Sequence, residues 1–158
     1  MYKFGKRSKE VLSELHPDLV LILEMAIAHS NMDFGLHEGA RTVEKQQEYF
    51  NQGKSKINPE AYPDEITLAK SAKHIVIPDI KEFEKSRAVD LHCSVKGKTW
   101  DNVQLSYIAG LITGCANILF AAKKIKHGIR WGGDWNGNGE LLTDQSFNDT
   151  PHFELIKK

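Results

Sequence analysis

The chain has few of the features that mark exported, membrane-bound or nucleic-acid-binding proteins. It contains only two cysteines, Cys93 and Cys115, too few for a disulfide framework, so both are expected to be reduced thiols. Its 21 basic and 21 acidic side chains leave no net charge to attract nucleic acid or an anionic membrane. No apolar segment follows the basic residues near the start, so no Sec-type signal peptide is expected. We therefore expect a soluble protein that is made in a cytosol.

Long hydrophobic runs are also missing. The most apolar stretch, residues 107–122, is interrupted by Gly110, Gly114 and Asn117. A membrane-spanning helix needs about 20 predominantly apolar residues, so we expect no membrane insertion. The chain has no internal repeat and no low-complexity linker. Its 158 residues fit one compact domain, which predicts a single catalytic domain over 1–158.

Periodicity predicts helices first and then strands mixed with helices. Four helices are predicted. The first begins at a Ser8 cap and ends before Pro17, and the second begins at Asp18. The third covers 43–51 behind a Thr42 cap, and the fourth covers 104–124. The predicted strands are 34–37, 88–95, 129–131 and 152–156, and residues 53–73 are predicted to be loop. This order is typical of an α+β domain whose helices pack on a small, mostly antiparallel sheet.

The closing motifs RWGGDW and DTPHFEL carry the clearest chemical signal. Asp149 stands three residues before His152, which is predicted to lie on a strand. A zinc hydrolase needs that combination of a neutral imidazole for the metal and a carboxylate beside the attacking water. His74 and Asp90 could supply two more ligands, and three protein ligands leave one tetrahedral position of zinc open, as in catalytic sites. The pattern favours a zinc peptidase.

Each of these residues also has an alternative interpretation. A lone histidine on a strand is more often packed and hydrogen-bonded than bound to metal. Asp90 could form a salt bridge with Arg87 instead. His92 shares the face of Asp90 at the two-residue period and could replace a ligand, and Asp79 is a further candidate.

Motifs along nearly the whole chain resemble those of phage endolysins in the M15 metallopeptidase family. These endolysins are L-alanyl-D-glutamate peptidases related to D-Ala-D-Ala carboxypeptidases and dipeptidases. The matching segments are FGKRS, LHPDL, GART with Gln46, GKSK, AVDL and RWGGDW…PHFEL. The resemblance implies a hedgehog/DD-peptidase-like fold with zinc bound by His74, Asp90 and His152. It also implies that Asp149 is the general base and acid, and that Arg41 contacts a substrate carbonyl or carboxylate.

The spacing of the first two ligands departs from the family pattern. Sixteen positions separate His74 from Asp90 where the family has seven, and Ala72 stands where the family has serine. Residues 75–85 are therefore interpreted as an insertion. A surface insertion adds little closure entropy, so the ligands can still meet. We expect this segment to form a lip over the substrate groove, with a loop of no functional role as the alternative.

Five further side chains have alternative interpretations. Arg41 either binds substrate or is an ordinary surface residue at a helix start. Gln46 on the same helix could support it as a substrate-binding residue, or have a core or surface role. Glu154 shares the strand face of His152, so it is either a partner of that ligand or a solvent-facing charge. Trp131 and Trp135 line the cleft or belong to the core.

A second metal is suggested by the loop after the tryptophans. Oxygen-bearing side chains stand at the first, third and fifth positions, with glycine at the sixth, as in calcium loops of the EF-hand type. The candidate calcium ligands are Asp134, Asn136, Asn138 and Glu140. Position twelve is Gln145 rather than glutamate, and a turn-rich loop without metal is the alternative.

The predicted function is a zinc-dependent endolysin that hydrolyses the L-Ala–D-Glu bond of the peptidoglycan stem peptide. One alternative is a D-Ala-D-Ala carboxypeptidase or dipeptidase. Another is a non-catalytic wall-binding module that contains zinc, which would have no need for Asp149. By resemblance, we expect a monomer in the host cytoplasm that reaches the cell wall after holin-type release.

Overall fold

Five α-helices and one four-stranded antiparallel sheet make up the fold, which confirms the predicted α+β class. The computed structural model describes residues 1–158. The helices are α1 (Lys6–Ser13), α2 (Pro17–His29), α3 (Val43–Asn51), α4 (Glu65–Ser71) and α5 (Asn102–Ala121), with a 3-10 turn at Pro59–Ala61. The strands are β1 (Phe34–Glu38), β2 (Ala88–Cys93), β3 (His127–Gly132) and β4 (Asp149–Lys157).

The strand order β1-β2-β4-β3 places β2 and β4 side by side in the middle of the sheet. All three strand pairs are antiparallel, and the register sets Asp90 directly opposite His152. Directly opposed residues of an antiparallel pair have side chains on the same face, within contact distance. The central pair of strands therefore brings two of the candidate ligands together.

The main hydrophobic core lies between the sheet and the helices α1, α2 and α5 and contains 24 buried residues. Helix α5 packs against α2 and against strands β2, β3 and β4. Its 20 residues are long and apolar enough to cross a membrane by length and composition, which corrects the expectation that this segment is too short. A core helix meets the same criterion, and the packing of α5 on the sheet is that of a core helix.

Two local predictions were wrong. Ser8 does not cap α1, which begins after Gly5; instead its buried hydroxyl accepts a hydrogen bond from the Leu36 N–H at 3.0 Å. The segment 53–73 is not all loop, because the Asp64 carboxylate accepts from the Thr67 N–H at 2.7 Å and starts α4. By contrast, the predicted Thr42 cap of α3 is confirmed.

The insertion 75–85 packs on α4 instead of covering the substrate groove. Ile75 and Phe83 are buried in a second, smaller hydrophobic cluster. Its other members are Leu68 and Ala69 of α4 and Ala72, which caps the end of that helix. The Ile77 N–H donates to the Phe83 carbonyl at 2.8 Å and closes the turn. No residue of the insertion lines the cleft around His74. The predicted lip is therefore wrong, and the segment has its own core.

The smaller cluster predicts a stability effect. Phe83→Ala should lower the free energy of unfolding by about 3 kcal/mol, because it leaves a cavity where a fully buried ring was. Chemical denaturation measures this change. Glu84→Ala, an exposed neighbour, should shift stability by no more than about 0.5 kcal/mol. Equal unfolding midpoints for Phe83→Ala and the wild type would show that the insertion is not packed.

Candidate active site

Three side chains from three parts of the fold converge at one end of the central strands. His74 follows α4, Asp90 lies on β2 and His152 on β4. Asp90 Oδ1 lies 3.3 Å from His74 Nε2 and 3.0 Å from His152 Nδ1, and these two ring nitrogens are 3.2 Å apart. The three ligand atoms could hold one metal ion. The structure thus brings together the three residues that the sequence suggested as ligands.

Each imidazole has a hydrogen-bond acceptor on the side away from the centre. These acceptors determine which ring nitrogen carries the hydrogen and which has a lone pair. His74 Nδ1 lies 2.6 Å from the Gly39 carbonyl, which can only accept, so in the neutral ring Nδ1 carries the hydrogen. His152 Nε2 lies 3.1 Å from a Glu154 carboxylate oxygen and carries the hydrogen for the same reason. When both rings are neutral, which is the form that binds a metal, His74 Nε2 and His152 Nδ1 carry the lone pairs and face each other and Asp90. Three convergent lone pairs fit a divalent cation.

The electrostatics of His152 and Asp90 also favour a positive charge at this centre. Burial disfavours charging His152, but hydrogen bonds to Asp90 and Glu154 outweigh burial and raise its pKa to about 10. Burial likewise disfavours the Asp90 carboxylate, yet the two histidines hold its pKa well below the usual range. His152 therefore holds its second proton strongly between the buried carboxylates of Asp90 and Glu154. A metal ion can replace that proton.

Asp149 is held at the mouth of the centre by a close backbone approach. It begins β4 and pairs with Gly132, where a Cβ would come within 2.2 Å of the Asp149 carbonyl oxygen, so only glycine fits. Burial and the charge of Asp90 raise the pKa of Asp149, against the opposing charges of His152, His74 and Arg41. A carboxylate that shares the cleft with the ligands and has a raised pKa suits proton transfer.

Arg41 is not an ordinary surface residue, because its side chain is only 9% exposed. Its guanidinium donates to Gln46 Oε1 at 2.8 Å, pairs with Glu38 and lies 3.7 Å from Asp90. The Tyr49 ring lies 4.8 Å beneath it. Its buried Nε has no hydrogen-bond partner within the protein. Arg41 is thus fixed at the cleft with hydrogen-bonding capacity to spare.

Gln46 supports Arg41. Its side-chain nitrogen donates to the Ser55 hydroxyl and to the Ile57 carbonyl, both at 2.8 Å, while its oxygen accepts from Arg41. Both amide hydrogens are used within the protein, so Gln46 positions Arg41, and direct contact of Gln46 with substrate stays a prediction. Glu38 was not predicted as a site residue, although it directly precedes the GART motif that contains Arg41.

The tryptophan and glutamate alternatives are now decided. Trp131 is a buried core residue, whereas Trp135 lies over His152 with ring centroids 5.5 Å apart and lines the cleft. Glu154 is buried between His152 and Arg130, so it is a partner of the ligand rather than a solvent-facing charge. The cleft has a volume of about 560 Å³, room for an extended peptide segment.

The remaining alternatives lie away from the centre. Arg87 bonds to the Ala69 carbonyl and forms no ion pair with Asp90. His92 packs with His37 and Trp100, and Asp79 is exposed in the insertion, so neither joins the three ligands.

A second group of potential metal ligands, His16, Asp18 and His127, was not found by sequence reasoning. One oxygen of Asp18 accepts from the backbone N–H of Lys126 and of His127 and lies 2.8 Å from His127 Nδ1. This carboxylate fastens the first turn of α2 to the start of β3. Its hydrogen bonds account for a structural role.

The candidate calcium loop is folded around its first side chain. The Asp134 carboxylate accepts from the N–H groups of Asn138 and Gly139, at 3.2 and 3.1 Å. Asp144 accepts from the side-chain amides of Asn136 and Asn138, each at 2.7 Å. These bonds hold the oxygen-bearing side chains in one turn. Glu140, also a candidate ligand, is exposed, and its backbone N–H donates to the side-chain oxygen of Asn138 at 2.8 Å.

Comparisons with known proteins agree with the predicted family. The family described as phage L-alanyl-D-glutamate peptidase matches residues 1–156. The chain is similar to the L-alanyl-D-glutamate peptidase of Escherichia phage T5, with 24% identity over 98% of each chain. Its fold is similar to that of the Serratia marcescens L-Ala D-Glu endopeptidase ChiX. That match has a TM-score of 0.64 and 23% identity over 98% of this chain and 90% of the other.

The raised pKa of His152 predicts how metal-free protein responds to pH. The stabilisation from its proton is complete below about pH 6.5 and is lost as the pH rises through about 10. A bound cation would replace that proton, so zinc-loaded protein should lose less stability over the same range. Thermal unfolding at several pH values, with chelator and with zinc, measures the difference. Identical pH profiles for the two forms would contradict the prediction.

Proposed function

The chain belongs to the phage L-alanyl-D-glutamate peptidase family, and from that premise we propose that it is a zinc-dependent endolysin. Its reaction is hydrolysis of the L-Ala–D-Glu bond in the peptidoglycan stem peptide. The main support for zinc is the convergence of three lone pairs, two from imidazoles and one from a carboxylate, beside Asp149. Imidazole and carboxylate are ordinary zinc ligands, and three of them leave a position for substrate chemistry.

In this proposal His74, Asp90 and His152 would hold the ion. When bound, zinc supplies Lewis acidity for the scissile carbonyl and for the attacking water. Gly39 and Glu154 keep the hydrogens of the two imidazoles on their outer nitrogens and so hold the inner lone pairs in place. Arg130 neutralises Glu154 and keeps that carboxylate as an acceptor for His152.

Proton transfer is assigned to Asp149. Its carboxylate takes a proton from the attacking water and passes it to the amine of the departing D-Glu residue. Its raised pKa favours this role, because the carboxyl must hold the proton briefly before releasing it. Arg41 stabilises the negative charge that develops on the carbonyl oxygen, or binds a substrate carboxylate, through donors that Gln46 and Glu38 fix in direction.

Asp149→Asn tests this assignment. The variant should bind zinc and keep its melting temperature, yet lose about 10²- to 10⁴-fold in turnover, since an amide cannot accept the proton. The measurement is digestion of purified peptidoglycan, with mass spectrometry of the released fragments and metal analysis of the protein. New L-Ala carboxyl ends and D-Glu amino ends are the expected wild-type products.

Asp79→Asn is the matched control, because Asp79 is an exposed carboxylate outside the cleft. It should digest peptidoglycan like the wild type. Turnover of Asp149→Asn close to that of this control would move the base to another residue. Release of D-Ala alone by the wild type would instead favour a D-Ala-D-Ala carboxypeptidase.

We further propose that Asp134, Asn136, Asn138 and Glu140 bind calcium weakly and so order the loop before β4. Gln145 lies in this loop, and its side-chain oxygen accepts from the backbone N–H of Trp135 at 2.8 Å, while the Trp135 ring lies over His152. Calcium binding would therefore be coupled to the position of Trp135 over the zinc ligand His152.

Added calcium should raise the melting temperature of zinc-loaded protein by mass action. Asp134→Ala should abolish that increase while it retains zinc, because it removes the side chain around which the loop folds. Differential scanning calorimetry across a calcium titration measures both results. A melting temperature that calcium does not change in the wild type would leave this segment a turn-rich loop without metal.

The cellular setting is also a proposal. Cys93 and Cys115 are both free and buried, which suits a protein that folds in a reducing cytoplasm. In this proposal the enzyme is a monomer that accumulates in the host and reaches the wall through a holin-type lesion.

A further inference from the structure

A groove next to the catalytic cleft is strongly basic, although the whole chain has no net charge. Its volume is about 460 Å³. Glu82 is the only acidic residue that lines it. Six basic residues line it: Lys70, Lys73, Lys81, Arg87, Arg130 and Lys157. This concentration of one charge on a neutral protein indicates a site for an anion.

Most of these cations have no carboxylate partner within the protein. Arg130 is the only one of the six that forms a salt bridge, which it makes with Glu154. Arg87 stacks on the Phe83 ring at 4.5 Å, donates to the Ala69 carbonyl, and has a buried Nε without a hydrogen-bond partner. Cations held near one another without counter-charges repel, so a bound anion would relieve that repulsion.

The groove continues directly from the catalytic cleft. Lys73 and Arg130 line both spaces, and Lys73 directly precedes the candidate ligand His74. The insertion 75–85 supplies Lys81 and Glu82 to the wall of the groove. The packing of Phe83 on α4 fixes that wall. The insertion thus shapes a space beside the catalytic centre and not a lip above it.

We propose that this basic groove binds the free carboxylates of the stem peptide on the D-Glu side of the scissile bond. This inference rests on the proposed function. The peptide on the L-Ala side joins the sugar through a neutral amide and offers no charge. On the other side, D-Glu continues the chain through its side-chain carboxyl and leaves its α-carboxylate free, and the C-terminus of the stem peptide adds another carboxylate. Only that half of the substrate complements six cations.

Charge reversal at Lys81 tests the groove without touching the catalytic centre, because this side chain is exposed and makes no hydrogen bond or salt bridge. With a soluble stem peptide, Lys81→Glu should raise KM about fivefold and leave kcat unchanged, as expected when an exposed ionic contact is lost and replaced by repulsion. Lys70→Glu with Lys81→Glu should raise KM further. High salt should diminish the differences.

Two controls make the result specific. Lys9→Glu changes the net charge equally at an exposed site on α1 and should keep the wild-type KM. A peptide whose carboxylates beyond the scissile bond are amidated should give the same KM with wild type and Lys81→Glu. Equal KM increases for Lys9→Glu and Lys81→Glu, or for the acidic and amidated peptides, would overturn the proposal.

Binding of the released D-Glu-containing peptide, measured by calorimetry, separates this proposal from the proposed function, because it needs no hydrolysis. Salt-sensitive binding that Lys81→Glu weakens, in a protein that cuts a different bond, would support the groove and refute the proposed reaction. Normal cleavage with product binding that Lys81→Glu does not change would do the reverse. Tighter binding of a glycerol phosphate oligomer than of the peptide would assign the groove to phosphate and overturn the carboxylate proposal.

Discussion

The site depends on the pairing of Asp90 with His152 across the two central strands. The antiparallel register fixes these residues opposite each other, so the sheet itself sets the distance between a carboxylate and an imidazole. His74 completes the group from outside the sheet, held by the Gly39 carbonyl. Because the outer nitrogens of both rings face acceptors, the inner lone pairs have only each other and Asp90 as neighbours. In the metal-free protein a second proton on His152 satisfies this arrangement, and a metal ion can replace that proton.

The surroundings of the centre maintain this arrangement from several sides. Glu154 lies behind His152 and is itself balanced by Arg130, so the second layer carries no uncompensated charge. Trp135 covers the ring of His152, and the loop after β3 fixes Trp135 through Gln145. Gly132 allows the backbone of Asp149 to approach closely enough to begin β4 at the right point. The first glycine of RWGGDW is therefore required to place the base, whereas a side chain at Gly133 would collide with the Trp131 ring.

The insertion between His74 and Asp90 shows why ligand spacing along a chain constrains a metal site weakly. Each doubling of a loop costs only about 0.6 kcal/mol of closure entropy, which a few buried apolar side chains offset. Ile75 and Phe83 provide that burial against α4. The extra residues do not move the ligands, because β2 and the bridge between Arg41 and Ile75 fix both ends of the insertion.

Four features could be predicted without the structure: the α+β class, the Thr42 cap, the strands that bear Asp90 and His152, and the three ligand candidates. Local periodicity is sufficient for the class, the cap and the strands, because these depend on neighbours along the chain. The choice of three ligands also needed the family resemblance, because side-chain chemistry alone left His92 and Asp79 as alternatives. The folded structure was needed to show that Glu154 supports His152, that Trp131 is core while Trp135 faces the cleft, and that Gln46 positions Arg41. It was also needed to show that Lys81 and Glu82, within residues 75–85, line a basic groove. These outcomes depend on contacts between residues far apart in sequence, whose distances and orientations no local pattern encodes.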